Sequence, residues 1–296
     1  MKYRKIQVVS LSFNNKSADE ILKLVEKEAQ QNCDIIVLPE MWMGDKYIET
    51  IDISCENSGV TGQLQNIAKT YGVYILNSTY RETETTPRLN SGALIGRDGT
   101  IIGIYDKNYP YWDEYDLKPP ACPGSDVPVF ETDFGRVGIA ICFDANFPSV
   151  WEELAEKGAD IVFWTSAYSG GSSLQAHAIN HHYYIVSSTL CNDCAVIDIT
   201  GKEIYYQKSD SGVNISRVEI DMNREIFHEN FNMGSKLERL LNEHAEITVE
   251  SHLEREQWFV LHSKNEGVQI REIAAQYSME ELRAYKRRSR DKGIIN

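Results

Sequence analysis

The chain has 296 residues, a net charge of -14 and a pI near 5.0, which argues against a nucleic acid or an anionic membrane as its partner. With 42% apolar and 25% charged residues it has the composition of a soluble globular protein. It is long enough for one large domain, or for one domain with an appendage. Met1-Lys-Tyr-Arg-Lys leads straight into a strand-like run, with no signal peptide or membrane span in view. Six cysteines at irregular spacing do not make a secreted disulfide framework, so a reduced, cytoplasmic protein is expected.

In chain order, Ile6 to Phe13 reads as a strand. A helix follows from Ser17 to Gln31, with Ile21, Leu22, Leu24 and Val25 on one face. Asp34-Ile-Ile-Val-Leu38, stopped by Pro39, has the run expected of a fully buried strand. A helix from Gly62 to Tyr71 leads into a strand from Val73 to Tyr80. Ser91 to Gly96 and Thr100 to Tyr105 flank the turn Arg97-Asp98-Gly99, a hairpin signal. Val127 to Glu131 and Val137 to Ile141 look like a second hairpin. A helix from Ser149 to Lys157, a strand from Asp160 to Trp164 and a helix from Ser173 to about His182 come next. Ile185 to Thr189, Cys194 to Ile199 and Glu203 to Tyr206 finish as strands, turned at Thr200-Gly201. Strands and helices that alternate between hairpins predict α/β layers around mixed sheets. Past about Met222 the pattern becomes helical and charged, apart from Trp258 to Leu261. The expected division is a domain at 1–221 and a helical C-terminal extension at 222–296, packed on the body or on a partner subunit.

The chemistry gathers where strands end. In Arg136-Val-Gly-Ile-Ala-Ile-Cys142-Phe-Asp144, apolar residues alternate with small ones up to Cys142, and Pro148 suits the first turn of the next helix. A thiol on a strand-to-helix bend projects off the sheet beside free backbone N–H groups, the geometry of a nucleophile elbow. A cysteine that merely finishes a buried strand reads the same way locally. Glu40 stands just past one strand and Lys107 just past another, so an acid, a base and a thiol share the carboxyl-end position at which α/β folds place ligands. Tyr109, Tyr111, Trp112 and Tyr168 are candidates for an aromatic cleft suited to a small organic substrate, or for a cover on the sheet edge. Asp144 can bind a substrate amine or cap the following helix.

Leu38-Pro39-Glu40, Tyr105-Asp106-Lys107 and Gly138-Ile-Ala-Ile-Cys142-Phe-Asp144 together resemble the motifs of the nitrilase-like carbon–nitrogen hydrolases, over roughly residues 1–220. The run from Cys142 to Pro148 is similar to that of the amidase-like members. The resemblance implies a four-layer α-β-β-α sandwich with two mixed β-sheets, no cofactor, and a Glu40–Lys107–Cys142 triad. It also implies a second glutamate, matched best by Glu114, with Asp113 and Asp116 nearby. In that scheme Cys142 attacks, Glu40 is general base and then acid, and Lys107 with the Phe143 N–H stabilises the oxyanion. The implied substrate is a small linear amide or an N-carbamoyl amine. A nitrile, or a non-catalytic binding role for the fold, is the alternative. Family members are commonly oligomers, so a homo-oligomer is expected. One departure stands out: the family's usual Ala-Ile-Glu-Asn run is Ala178-Ile179-Asn180-His181 here, so no role of that glutamate transfers.

Two metal readings and one DNA reading are weaker. His177 and His181 share a helix face, but Ala178 stands where a zinc protease has its glutamate and no third ligand is evident. Cys191-Asn-Asp-Cys194 is one pair without a second, so no metal is expected. Val268 to Arg290 loosely resembles two helices around a turn, yet Glu280 and Glu281 open the second helix where base contacts would be made. No nucleic-acid and no membrane partner is expected.

Overall fold

The computed structural model describes residues 3–210 and 212–294. The chain divides into two compact units, one of Ile6–Ile220 and one of residues 221–294 together with residues 3–5. The larger unit runs β1 (Lys5–Phe13), α1 (Ala18–Ala29), β2 (Ile35–Val37), β3 (Ile48–Thr50), α2 (Gly59–Tyr71), β4 (Tyr74–Glu82), β5 (Leu89–Ile95) and β6 (Ile101–Asp106). It continues with β7 (Val129–Glu131), β8 (Arg136–Ile141), α3 (Pro148–Glu156), β9 (Ile161–Ser166), α4 (Ser172–His181), β10 (Tyr184–Thr189), β11 (Asp193–Ile197), β12 (Glu203–Lys208) and β13 (Val213–Asp221).

These strands form two mixed sheets. The first has the order β13-β1-β2-β4-β5-β6, with β3 paired to β4; the second has the order β12-β11-β10-β9-β8-β7. Short buried runs account for the parallel centre of each: Ile35–Val37 is apolar throughout and lies between β1 and β4, parallel to both. The sheets meet face to face. Ser10 Oγ donates to the Ser187 carbonyl oxygen at 2.7 Å and Ser188 Oγ to that of Leu11 at 2.6 Å, so polar side chains on the inner faces are satisfied across the interface.

Helices cover the outer faces. Ile21, Leu22, Val25 and Ala29 of α1 join Val60, Leu64 and Ala68 of α2 in one apolar cluster with Val9, Leu11, Ile36 and Ile75 of the first sheet. A capping box starts α1: the Glu20 N–H donates to Ser17 Oγ at 3.3 Å, and the Ser17 N–H donates to Glu20 Oε2 at 3.0 Å. On the second sheet α3 lies close enough that a Cβ added at Gly138 of β8 would come within 2.8 Å of a Leu154 methyl. Small residues on one side of β8 are therefore the seat for that helix.

The smaller unit has its own core. Strands β14 (Glu225–His228), β16 (Trp258–Ser263) and β15 (Ile247–Leu253) form an antiparallel sheet in that spatial order, beside α5 (Met233–Glu243), α6 (Ile270–Gln276) and α7 (Leu282–Ile294). Phe227, Leu240, Ile247, Phe259, Leu261 and Ile270 pack together there. The extension is thus helical with a small sheet. Beyond the Trp258 run its strands were hidden, because Thr248, Glu250, Ser251 and His252 of β15 are polar and partly or fully exposed.

Candidate active site

The geometry starts from strand direction. Strand β2 is parallel to β4, while β4–β5 and β5–β6 are antiparallel, so β6 points the same way as β2. Glu40, beyond β2, and Lys107, beyond β6, therefore emerge on one edge of the first sheet, and the amino end of β5 lies on that edge too. In the second sheet β8 and β9 are parallel, so Cys142 and Ser166-Ala167 leave together.

The Cys142 bend is held from beneath. Cys142 has φ 46°, left-handed for a residue with a Cβ, and opens a 3₁₀ turn over Cys142–Asn146. Asp144 is fully buried; its Oδ2 accepts from the Ile141 N–H (2.9 Å) and the Tyr105 hydroxyl (2.8 Å), and its Oδ1 from the Tyr109 N–H (3.1 Å). Trp151 Nε1 donates to the Asp144 carbonyl oxygen, and Trp164 Nε1 to that of Cys142. With both its oxygens engaged, Asp144 ties the bend to the loop after Lys107, and burial pushes its carboxyl up to about 7.

Two carboxylates enclose one ammonium. Lys107, 1% exposed, places Nζ 2.8 Å from Glu40 Oε1 and 2.5 Å from Glu114 Oε2. Asn90 Nδ2 donates to the same pair, Glu40 Oε1 and Glu114 Oε1, each at 2.8 Å. Glu114 also accepts from the Tyr80 hydroxyl (3.0 Å) and the Tyr111 N–H (2.8 Å), and Glu40 Oε2 from the Ala167 N–H (3.0 Å). Burial works against the Lys107 charge, but Glu40, Cys142 and Glu114 outweigh it and hold the ammonium above its ordinary range. Burial also opposes the Glu114 charge; Lys107, Asn90 and the Tyr111 N–H overcome that and keep this carboxyl below its ordinary range. Burial, with Glu40 adding to it, pushes the Cys142 thiol up to about 12, against the pull of Lys107, the Ala167 N–H and Ser166. The neutral thiol is the favoured form.

Structure brings Glu40, Lys107, Cys142 and Glu114 into one buried cluster. Asp113 and Asp116 are exposed, leaving Glu114 as the carboxylate that reaches Lys107. The aromatics are spread more widely. Tyr109 stacks on Phe147 at 3.7 Å, Phe143 lies edge-on to Tyr111 and Phe147, and Tyr168 lies edge-on to Trp164 with its hydroxyl 3.5 Å from the Cys142 carbonyl oxygen. Trp112 is 62% exposed and tilts against Tyr111. His177 stacks on Trp151, with Nε2 2.9 Å from the Ala145 carbonyl oxygen. Asn180 lies on the exposed side of α4. Among the described residues no three His, Cys, Asp or Glu side chains are grouped to hold a metal ion, and no helix is long and apolar enough to cross a membrane. Cys191 Sγ lies 3.3 Å from the Ala167 carbonyl oxygen, Cys194 is buried, and all six cysteines are free thiols.

Asn90, Tyr80 and Ala167 escaped the sequence reading. Asn90 is the second residue of β5, whose antiparallel course brings its amino end to where the carboxyl ends of β2 and β6 lie. A search confined to strand carboxyl ends passes over it.

The family model for carbon–nitrogen hydrolases matches residues 12–226. The chain is 23% identical over 204 residues to an omega-amidase of Xenopus tropicalis, covering 64% of this chain and 74% of that one. It is 29% identical over 192 residues to a citrullinase of Francisella tularensis (60% and 66%) and 31% identical over 180 residues to N-carbamoylputrescine amidase of Arabidopsis thaliana (55% and 59%). Among solved structures, a nitrilase-superfamily member of Saccharomyces cerevisiae superposes with a TM-score of 0.63 at 18% identity, over 74% of this chain and 90% of that one. An amidase of Nesterenkonia, carrying the acetamide moiety of fluoroacetamide on its active-site cysteine, superposes with a TM-score of 0.60 at 17% identity, over 75% and 91%. These likenesses show the fold of the larger unit, and the family match places its chemistry: the chain belongs to the carbon–nitrogen hydrolase family, as an enzyme acting on C–N bonds.

Proposed function

We propose that the protein is a thiol hydrolase that cleaves the C–N bond of a small linear amide or N-carbamoyl amine through a Cys142 acyl-enzyme. The observation that carries this reading is the buried Lys107 ammonium shared by Glu40 and Glu114 beside Cys142. Glu40 takes the Cys142 proton as Sγ attacks the carbonyl carbon. The carbonyl π electrons move to oxygen. Two Lys107 hydrogens are engaged by Glu40 and Glu114, and the third stabilises this oxyanion together with the Phe143 N–H. Removing one such donor raises the barrier by roughly 3 kcal/mol. When the C–N bond breaks, protonated Glu40 gives its proton to the departing nitrogen, which leaves as ammonia or an amine. Glu40 then deprotonates a water, whose oxygen attacks the thioester carbon. As the C–S bond breaks, Cys142 recovers the proton and the acid departs. Glu114 acts through Lys107, keeping it charged and fixed. Phe143, Tyr109, Trp112 and Tyr168 are candidate walls for the substrate chain. Relatives named for amides and for carbamoyl compounds support either acyl group.

The test is a panel of small amides, carbamoyl amines and nitriles assayed for ammonia with the wild type and Cys142→Ala. Release from amides or carbamoyl compounds that Cys142→Ala abolishes supports the reading. Activity on nitriles alone replaces it with a nitrilase, and equal activity in Cys142→Ala removes the acyl-enzyme altogether.

A further inference from the structure

The two carboxylates beside Lys107 are not equivalent. Among the described residues Glu114 accepts four hydrogen bonds, two on each oxygen: Tyr80 and Asn90 on Oε1, Lys107 and the Tyr111 N–H on Oε2. It has no free lone pair for a proton. Glu40 accepts three, with Lys107 and Asn90 both on Oε1 and the Ala167 N–H on Oε2. One lone pair is left, on Oε2. Ala167 follows β9, which runs parallel to β8, so Oε2 is the oxygen turned toward the edge of the second sheet from which Cys142 also emerges.

Asn90 makes the difference. Its Nδ2 carries two hydrogens and spends one on each carboxylate, while its Oδ1 is buried without a partner among the described residues. Turning the amide over would aim its carbonyl at two carboxylates, so the orientation is forced by charge. A fully buried amide that leaves its own acceptor unsatisfied to serve two anions is not explained by packing alone.

We propose that Asn90 is a positioning residue for the hydrolysis: by occupying Glu40 Oε1 together with Lys107 it restricts proton uptake to Oε2, the oxygen on the side of the second sheet that carries Cys142. The inference rests on the acyl-enzyme reading above. Without Asn90 each carboxylate loses a donor that favours its charged form, and the proton taken from Cys142 can settle on Oε1 instead of Oε2.

The experiment compares wild type, Asn90→Ala and Asn90→Ser by the pH dependence of kcat/KM, by the pH dependence of Cys142 alkylation with iodoacetamide, and by thermal melting. Asn90→Ala should lose tenfold to a hundredfold in kcat with KM changed less than about threefold. The acid limb of both pH profiles should move up by about one unit, the size of one charge-assisted hydrogen bond. Asn90→Ser, with one hydrogen to give, should fall between. Acid limbs that stay at the wild-type position, with rates that track only the melting temperature, overturn the proposal. If Asn90→Ala does not fold, Asn90→Ser is judged by the same criterion. Alkylation that shifts in a protein inert toward every amide supports Asn90 while sinking the substrate reading; a Cys142→Ala enzyme as active as wild type overturns both.

Discussion

Asp144 shows how one side chain beside Cys142 ties two segments of the chain together. Its oxygens receive the Ile141 N–H, the Tyr105 hydroxyl and the Tyr109 N–H, so it links the Cys142 bend to the loop that follows Lys107. Asparagine has the same shape but one acceptor oxygen, and its NH₂ would face a backbone N–H. Asp144→Asn is therefore expected to destabilise the protein by about 1–3 kcal/mol, through a buried donor left unpaired. The pH dependence carries a sign. Burial raises the native carboxyl to about 7, above its unfolded value of about 3.9, so the native state holds the proton more tightly. This group's contribution to stability is complete below the unfolded value and is lost as pH rises through about 7. The mutant has no such titration, so its stability gap to wild type should narrow between pH 5 and pH 8 in urea melts. A gap that widens over that range would mean the buried carboxyl is held as an anion throughout.

At the scale of elements, the site depends on two sheets keeping their spacing. Gly92 of β5 faces Ile139 of β8, and an added Cβ would come within 2.9 Å of Ile139 Cγ2. Ile139 is three residues before Cys142 and Gly92 two residues after Asn90, so pressure there reaches both halves of the site. Gly92→Ala is expected to cost about 1–3 kcal/mol by overpacking and to slow catalysis. In an Ile139→Ala background the same change should cost measurably less, because the cavity accepts the methyl. Additive losses in denaturant melts would show that the sheets do not transmit the strain. Much of this frame was legible in the sequence: the buried run at Asp34 to Leu38, the hairpin at Arg97-Asp98-Gly99 and the alternation before Cys142 each report a local rule, period or turn chemistry, that tertiary structure keeps. So were the positions of Glu40 and Lys107 beyond β2 and β6, because strand ends are local signals. Asn90 was not, since its importance comes from β5 running against its neighbours. Nor was β13, which joins the sheet beside β1 across some two hundred residues of chain. In the smaller unit β14 is only four residues long and β15 breaks its apolar alternation at Glu250-Ser251-His252.

Charge is the property that belongs to the whole molecule. The net value of -14 conceals an uneven distribution, because α7 alone carries six Lys and Arg against one Asp. That helix is not a free basic arm at its start: Glu280 pairs with Arg288 at 2.8 Å, and Glu281 bridges to Phe227 of β14. Elsewhere acidic groups outnumber basic ones by more than the net value suggests, and like charges repel in the folded state more than in the expanded chain. Exposed local pairs such as Lys157–Glu153 at 2.7 Å and Arg288–Glu280 at 2.8 Å act in the opposite sense, since salt weakens them. The two effects predict opposite responses to ionic strength. Exposed pairs contribute under about 1 kcal/mol each, whereas net repulsion is summed over every surface carboxylate, so repulsion should win. Raising sodium chloride from 20 to 200 mM at pH 7.5 is accordingly expected to raise the melting temperature, by about 2–4 °C for each kcal/mol of repulsion screened. A melting temperature that falls over that range would assign the balance to the local ion pairs instead.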